Sequence, residues 1–134
     1  MATSLGLASS AIAYNNSKTK ITTLEGCPET SSIAQQQFKK HQLNNIEVVT
    51  TDFSDYLINN TISYDFVYFD GNHQKEATLE YFNSLINFVS NNTVFIFDDI
   101  HWSKEMEEAW IEIKKHPKVT ITVDTFFGDL YFLE

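Results

Sequence analysis

The chain has 134 residues, a net charge of −9 and nine basic residues that are all lysines. Without arginine the usual bidentate reader of guanine and phosphate is missing, which argues against a nucleic-acid partner. No apolar run approaches the ~20 residues that span a bilayer and no basic signal-peptide start is present, so a soluble, cytoplasmic, single domain over residues 1–134 is expected.

In chain order, small apolar residues from Thr3 to Tyr14 predict a helix, with Ser4 or Thr3 as its cap and Leu7, Ile12 and Ala13 along it. Lys20 to Glu25 reads as a strand. Pro28 then sits where a first-turn proline belongs, and Ile33, Phe38 and Leu43 predict the sheet-facing stripe of the helix it opens. Cys27, the only cysteine, cannot form an internal disulfide and reads as a small strand-end residue.

Ile46 to Thr50 is the next strand, followed by Asp52 and a short helical turn over Phe53 to Ile58. Phe66 to Phe69 are four consecutive bulky residues that stop at Asp70-Gly71-Asn72-His73, the pattern of a strand covered on both faces and opening into a site. A helix from about Lys75 to Val89 follows, then a strand from Val94 to Phe97 ending in Asp98-Asp99, then an amphipathic helix from Ser103 to Lys115 with Met106, Trp110 and Ile113 inward. Val119 to Asp124 and Leu130 to Leu133, joined by a turn around Phe127-Gly128-Asp129, predict a terminal antiparallel hairpin. Alternating strands and helices make the fold α/β, with a mostly parallel sheet. If the strands ending in Glu25, Asp52, Asp70 and Asp98 are parallel, their acids line one edge of one sheet.

That order, with Phe69-Asp70-Gly71-Asn72-His73 and Phe97-Asp98-Asp99-Ile100-His101-Trp102, resembles the class I S-adenosylmethionine-dependent methyltransferases, and within them the small-molecule O-methyltransferase branch of catechol-type enzymes. The resemblance covers nearly the whole chain. It implies a Rossmann-like sandwich whose first, central strand is missing here, so the chain is expected to be N-terminally truncated.

The resemblance also implies site residues. Thr3-Ser4-Leu5-Gly6-Leu7 is similar to the second half of the family's glycine-bearing loop, with Gly6 for close backbone approach and the N–H groups of Ser4, Leu5 and Gly6 for the carboxylate of S-adenosylmethionine. Glu25, with Gly26 behind it, corresponds to the acceptor for the two ribose hydroxyls. Asp52 corresponds to the acceptor for the adenine amino group, with Phe53 beside the ring; the alternative is that Asp52 caps the following helix. Asp70 is implied both as a cofactor contact and, with His73, as a catalytic residue, and Asp70, His73 and Asp98 are expected to face the acceptor.

Asp70, Asp98 and Asp99 are the implied ligands of Mg²⁺ or Ca²⁺, which would acidify an acceptor hydroxyl; Asp99 stands where catechol-type relatives have an amide. The alternative has Asp70 bonded to backbone and Asp98 and Asp99 capping the next helix. His73 is the metal-free candidate base, and His101 with Trp102 is a candidate wall of the acceptor pocket, whereas His41 and His116 read as surface residues. The implied activity is methyl transfer to a hydroxyl of a small-molecule acceptor. A second reading is a non-catalytic remnant of the fold that self-associates through exposed strand edges as a homo-oligomer. A nicotinamide-dependent dehydrogenase fits less well, since no complete G-x-G-x-x-G is present.

Overall fold

The computed structural model describes residues 3–125 and the backbone of residues 129–133. The order is α1 (Leu7–Ala13), β1 (Ile21–Glu25), α2 (Pro28–Lys40), β2 (Ile46–Thr50), α3 (Phe53–Ile58), β3 (Phe66–Phe69), α4 (Lys75–Leu85) with a 3₁₀ turn at Ile86–Phe88, β4 (Val94–Phe97), α5 (Lys104–Lys114), β5 (Val119–Asp124) and β6 (Asp129–Leu133). The chain forms two compact units, Met1–Tyr56 and Leu57–Glu134.

The first unit carries a two-stranded sheet in which β1 and β2 are parallel, with Leu24 opposite Val49 and Glu25 opposite Thr50. Its interior is unusually rich in hydroxyls. Thr3 donates its N–H to the Leu24 carbonyl at 2.8 Å, its hydroxyl meets that of Thr23 at 2.9 Å, and Ser31 meets Thr50 at 2.6 Å. Because each buried hydroxyl has a partner, little desolvation penalty remains, and the small side chains let α1 and α2 sit close to the strands.

Two expectations are corrected in this unit. The cap of α1 is Gly6, at φ 81°, with no side-chain cap bond, so neither Thr3 nor Ser4 performs that role. The inward face of α2 is Ser31, Ala34 and Phe38, while Ile33 is 46% exposed. Serine and alanine carry no hydropathy signal strong enough to mark that face, whereas their size is what the close packing selects. Pro28 does open α2, and Lys39 and Lys40 lie in its last turn, where the helix dipole favours cations.

The second unit holds a four-stranded sheet in the order β3-β4-β6-β5. β3 and β4 are parallel, β4 and β6 antiparallel, and β5 and β6 antiparallel, so the terminal hairpin closes one edge as its spacing predicts. The turn expected around Phe127-Gly128 lies outside the described residues. Phe95 and Phe97 are almost wholly buried, Phe69 stacks on Phe97 with centroids 4.2 Å apart, and Phe82 of α4 meets Phe95 edge-on at 5.9 Å. Each such ring contributes roughly 1.5–3 kcal/mol on burial. From α5, Met106, Ala109, Trp110 and Ile113 face inward, and Ser103 caps the helix by accepting the Met106 N–H at 3.2 Å.

β3 is not buried on both faces: Val67 and Phe69 are buried, Tyr68 is half-buried and Phe66 is 45% exposed. Among the described residues β4 is its only sheet neighbour, so it is an edge strand with one outward face. The four acid tips accordingly do not share one sheet edge. Glu25 and Asp52 follow β1 and β2 of one sheet, whereas Asp70 and Asp98 follow β3 and β4 of the other.

Candidate active site

In the first unit, Glu25 closes β1 with its carboxylate already held from both sides. The Ser4 N–H donates to Oε2 at 2.9 Å and the Cys27 N–H donates to Oε1 at 3.1 Å. Ser4 reaches that position in a left-handed conformation, φ 46°, and the Gly6 N–H turns back to the Thr3 carbonyl at 2.8 Å. Two of the N–H groups expected to face a cofactor carboxylate are therefore engaged within the chain. Each oxygen of Glu25 retains a lone pair for a further donor, which suits a pair of vicinal hydroxyls. Leu5 is 53% exposed, and Gly26 is exposed just beyond the strand end.

Gly6 is required by packing as well as by backbone conformation. A Cβ there would lie 2.6 Å from Cε1 and Cζ of Phe38. At the end of β2, Asp52 accepts the Ser54 N–H on Oδ1 at 2.9 Å and its carbonyl accepts the Tyr56 N–H, the bonding of a residue that starts α3. Phe53 is the first residue of α3 and is half-buried. Cys27 is the residue before α2, with its Sγ 3.2 Å from Glu29.

In the second unit, two tight loops meet. The β3–α4 loop contains Gly71 at φ 141° and Asn72 at φ 50°; the Asn72 amide donates to the Tyr81 hydroxyl at 3.2 Å, and the Gln74 N–H donates to the Asn72 carbonyl at 2.6 Å. After β4, Asp99 also takes a left-handed conformation, φ 55°, fixed by its N–H bond to Asp98 Oδ1 and by the Trp102 N–H on its carbonyl. Non-glycine residues persist in that region only where their surroundings over-determine them, and such strain concentrates at functional sites. The result is an imidazole facing a carboxylate: His73 Nε2 lies 3.7 Å from Asp99 Oδ2, both partly open to solvent.

Tyr68 is the residue the sequence reading passed over. Its hydroxyl donates to Asp98 Oδ2 at 2.6 Å. Burial, that bond and the charges of Asp70, Asp98 and Asp99 together hold the phenol well above its ordinary value, so it stays protonated and donating. A tyrosine inside an apolar run carries no sequence sign of this; only the β3–β4 pairing brings it to Asp98.

Among the described residues no three His, Cys, Asp or Glu side chains are grouped so as to hold a metal ion. Asp98 is bonded by Tyr68 and by the Asp99 N–H, and Asp99 is turned toward His73. The helix-capping alternative is corrected too, since Ser103 caps α5. His101 is clamped, with Nδ1 3.3 Å from Glu107 Oε1 and Nε2 3.2 Å from Asp124 Oδ2, while Trp102 beside it is exposed. His41 lines an open apolar groove of about 700 Å³ between α1 and α2, and His116 packs edge-on against Phe82.

No sequence among the curated proteins matches the chain. Solved structures do. The SAH-bound methyltransferase of Podospora anserina superposes with a TM-score of 0.81 at 15% identity, covering 98% of this chain and 69% of that one. The O-methyltransferase of Bacillus cereus in complex with SAH gives 0.80 at 19%, covering 99% and 71%, and the O-methyltransferase TomG of Streptomyces achromogenes in complex with SAM gives 0.80 at 16%, covering 98% and 70%. At these identities the likeness establishes the Rossmann-like methyltransferase fold. The sequence profile of a methyltransferase domain matches residues 3–100, well over half of the length, and the chain belongs to that methyltransferase domain family.

Proposed function

We propose that the chain transfers a methyl group from S-adenosylmethionine to a hydroxyl of a small-molecule acceptor. The observation that carries the reading is the Glu25 carboxylate, fixed by two backbone N–H groups at a strand end with lone pairs left for a ribose diol. Family membership and O-methyltransferases of the same fold support it. Asp52 keeps an oxygen beyond its bond to Ser54, which suits the adenine amino group, with Phe53 beside it. The Ser4–Gly6 turn, with Leu5 at its exposed tip, serves the methionine end in this reading, and Gly26 leaves room behind Glu25.

When bound, S-adenosylmethionine supplies an electrophilic sulfonium methyl group: the O–C bond forms as the S–C bond breaks, and the acceptor's proton must leave. His73 is the group to take it. An imidazole can receive a proton near neutral pH, and the partial exposure of His73 leaves it accessible to an acceptor. Asp70, two residues past Tyr68 and three before His73, contributes negative charge on the same loop.

Calorimetry tests the reading. Saturable binding of S-adenosylmethionine that is strongly weakened in Glu25→Ala supports it; no heat of binding to the wild-type chain removes it.

A specific observation favours self-association as a second reading. Leu7 and Tyr14 are 80% and 71% exposed along the same groove as Leu5 and Ile33, an apolar surface of a kind that marks contact faces. Light scattering decides it, because a strictly monomeric chain that binds cofactor leaves this second reading without support.

A further inference from the structure

We infer that Thr23 is a positioning residue for the carboxylate of Glu25: a relay of buried hydroxyls from α1 through Thr23 to Thr3 sets the Ser4 N–H on that acid and fixes the face it offers to a diol. The inference rests on the reading of Glu25 as the ribose acceptor, and only the titration arm of its test depends on that reading.

The relay has one direction. The Thr3 hydroxyl donates to the Leu24 carbonyl at 2.9 Å, so its single proton is committed and it can only accept at its 2.9 Å contact with Thr23. Thr23 is the donor there, and it accepts in turn from the Ser9 hydroxyl of α1 at 3.3 Å. Thr3, Ser9 and Thr23 are all buried, where an unpartnered hydroxyl is costly.

The turn held by the relay is strained. Ser4 sits at φ 46°, a region that a non-glycine residue keeps only where its surroundings over-determine it. Those surroundings are the bonds of Thr3, whose N–H and hydroxyl both reach the Leu24 carbonyl while its own carbonyl accepts the Gly6 N–H. Leu24 is the residue before Glu25. The Glu25 carbonyl accepts the Thr51 N–H beyond β2, so the Leu24 carbonyl faces the opposite edge of β1. Along that edge Thr3 takes the Leu24 carbonyl and Ser4, one residue on, takes Oε2 of Glu25. Without the Thr23 hydroxyl, Thr3 loses a bond that fixes its side chain and Ser9 loses its acceptor. The Ser4 N–H is then no longer held to Oε2, which leaves Glu25 with the Cys27 N–H on Oε1. A carboxylate fixed at one oxygen is less prepared for a diol than one fixed at both.

The experiment compares Thr23→Val, which keeps the shape and removes the hydroxyl, with Thr23→Ser, which restores it, in the full chain. In proton–nitrogen correlation spectra the Ser4 amide resonance, identified by its displacement in Glu25→Gln, is expected to move the same way in Thr23→Val and to keep its wild-type position in Thr23→Ser. A Ser4 amide unmoved in Thr23→Val, or moved as far in Thr23→Ser, overturns the inference. In calorimetry, the Kd for S-adenosylmethionine is expected to rise about tenfold in Thr23→Val and to return to within about twofold of wild type in Thr23→Ser. Thr93→Val, which removes an equally buried hydroxyl bonded to the Tyr64 carbonyl in the second unit, is expected to leave the Kd unchanged; an equal rise there makes the effect a general loss of stability and overturns the inference. Thr3→Val breaks the relay at its next link, with the same two results expected, and decides the question if Thr23→Val does not fold. If the wild type binds no S-adenosylmethionine, the reading of Glu25 fails while the amide spectra still decide this inference.

Discussion

The Tyr68 phenol and the Asp98 carboxylate are joined at 2.6 Å, one from within β3 and the other from just past the end of β4. Tyr68 faces partly outward from an edge strand, so the bond is neither fully buried nor free in water. A hydrogen bond to a charged acceptor in such a setting contributes about 1–2 kcal/mol. Tyr68→Phe is expected to lose that amount in urea unfolding, with an unchanged m-value.

The same bond sets an alkaline limit. The folded phenol holds its proton above its ordinary value, so the bond's contribution is fully present below the unfolded phenol's pKa of about 10 and is lost as pH rises through the higher folded value. Lys75, raised by its bonds to Glu112 and Glu108, acts in the same direction in that window. The informative quantity is therefore the difference between variants: melting temperature by circular dichroism should fall less steeply above pH 10 in Tyr68→Phe than in wild type. Equal slopes would assign the loss to Lys75.

Gly6→Ala combines strain at φ 81° with a Cβ pressed onto the buried Phe38 ring of α2. Overpacking and an unsuitable backbone conformation together are expected to cost about 2–4 kcal/mol. Phe38→Leu in the same chain should recover part of that loss by clearing the ring, which a purely conformational cost would not permit.

Ser103 accepts the Met106 N–H at the start of α5, and its replacement leaves that donor unpaired in a half-buried position. Ser103→Ala is expected to destabilise by about 1 kcal/mol, and Ser103→Asp to retain the cap. Chemical denaturation of both variants checks the pair.

Most elements were legible because their signals are local. The Pro28 start of α2, the 3.6-residue spacing of Met106, Trp110 and Ile113, and the apolar runs of β3 and β4 each follow from a few neighbouring residues. What escaped depends on pairing across the chain. Ser31 and Ala34 face inward because small residues permit close packing, which no hydropathy pattern reveals, and Ile33 beside them is left outside. The separation of β1–β2 from β3-β4-β6-β5 is likewise a matter of which strand edges meet. At the candidate site, Glu25 and His73 were marked by their place after strands. Tyr68 was hidden inside one, and the turning of Asp99 toward His73 required a backbone conformation that aspartate seldom adopts.

The central claim rests on Glu25, held by Ser4 and Cys27 and open to a diol. Isothermal titration of S-adenosylmethionine and its demethylated product into the wild-type chain and Glu25→Ala tests it most directly. Saturable binding of both ligands to the wild type, weakened tenfold or more in Glu25→Ala while the variant keeps its wild-type circular dichroism, is the predicted result. Absence of binding to the wild type, or equal affinity in a folded Glu25→Ala, contradicts it.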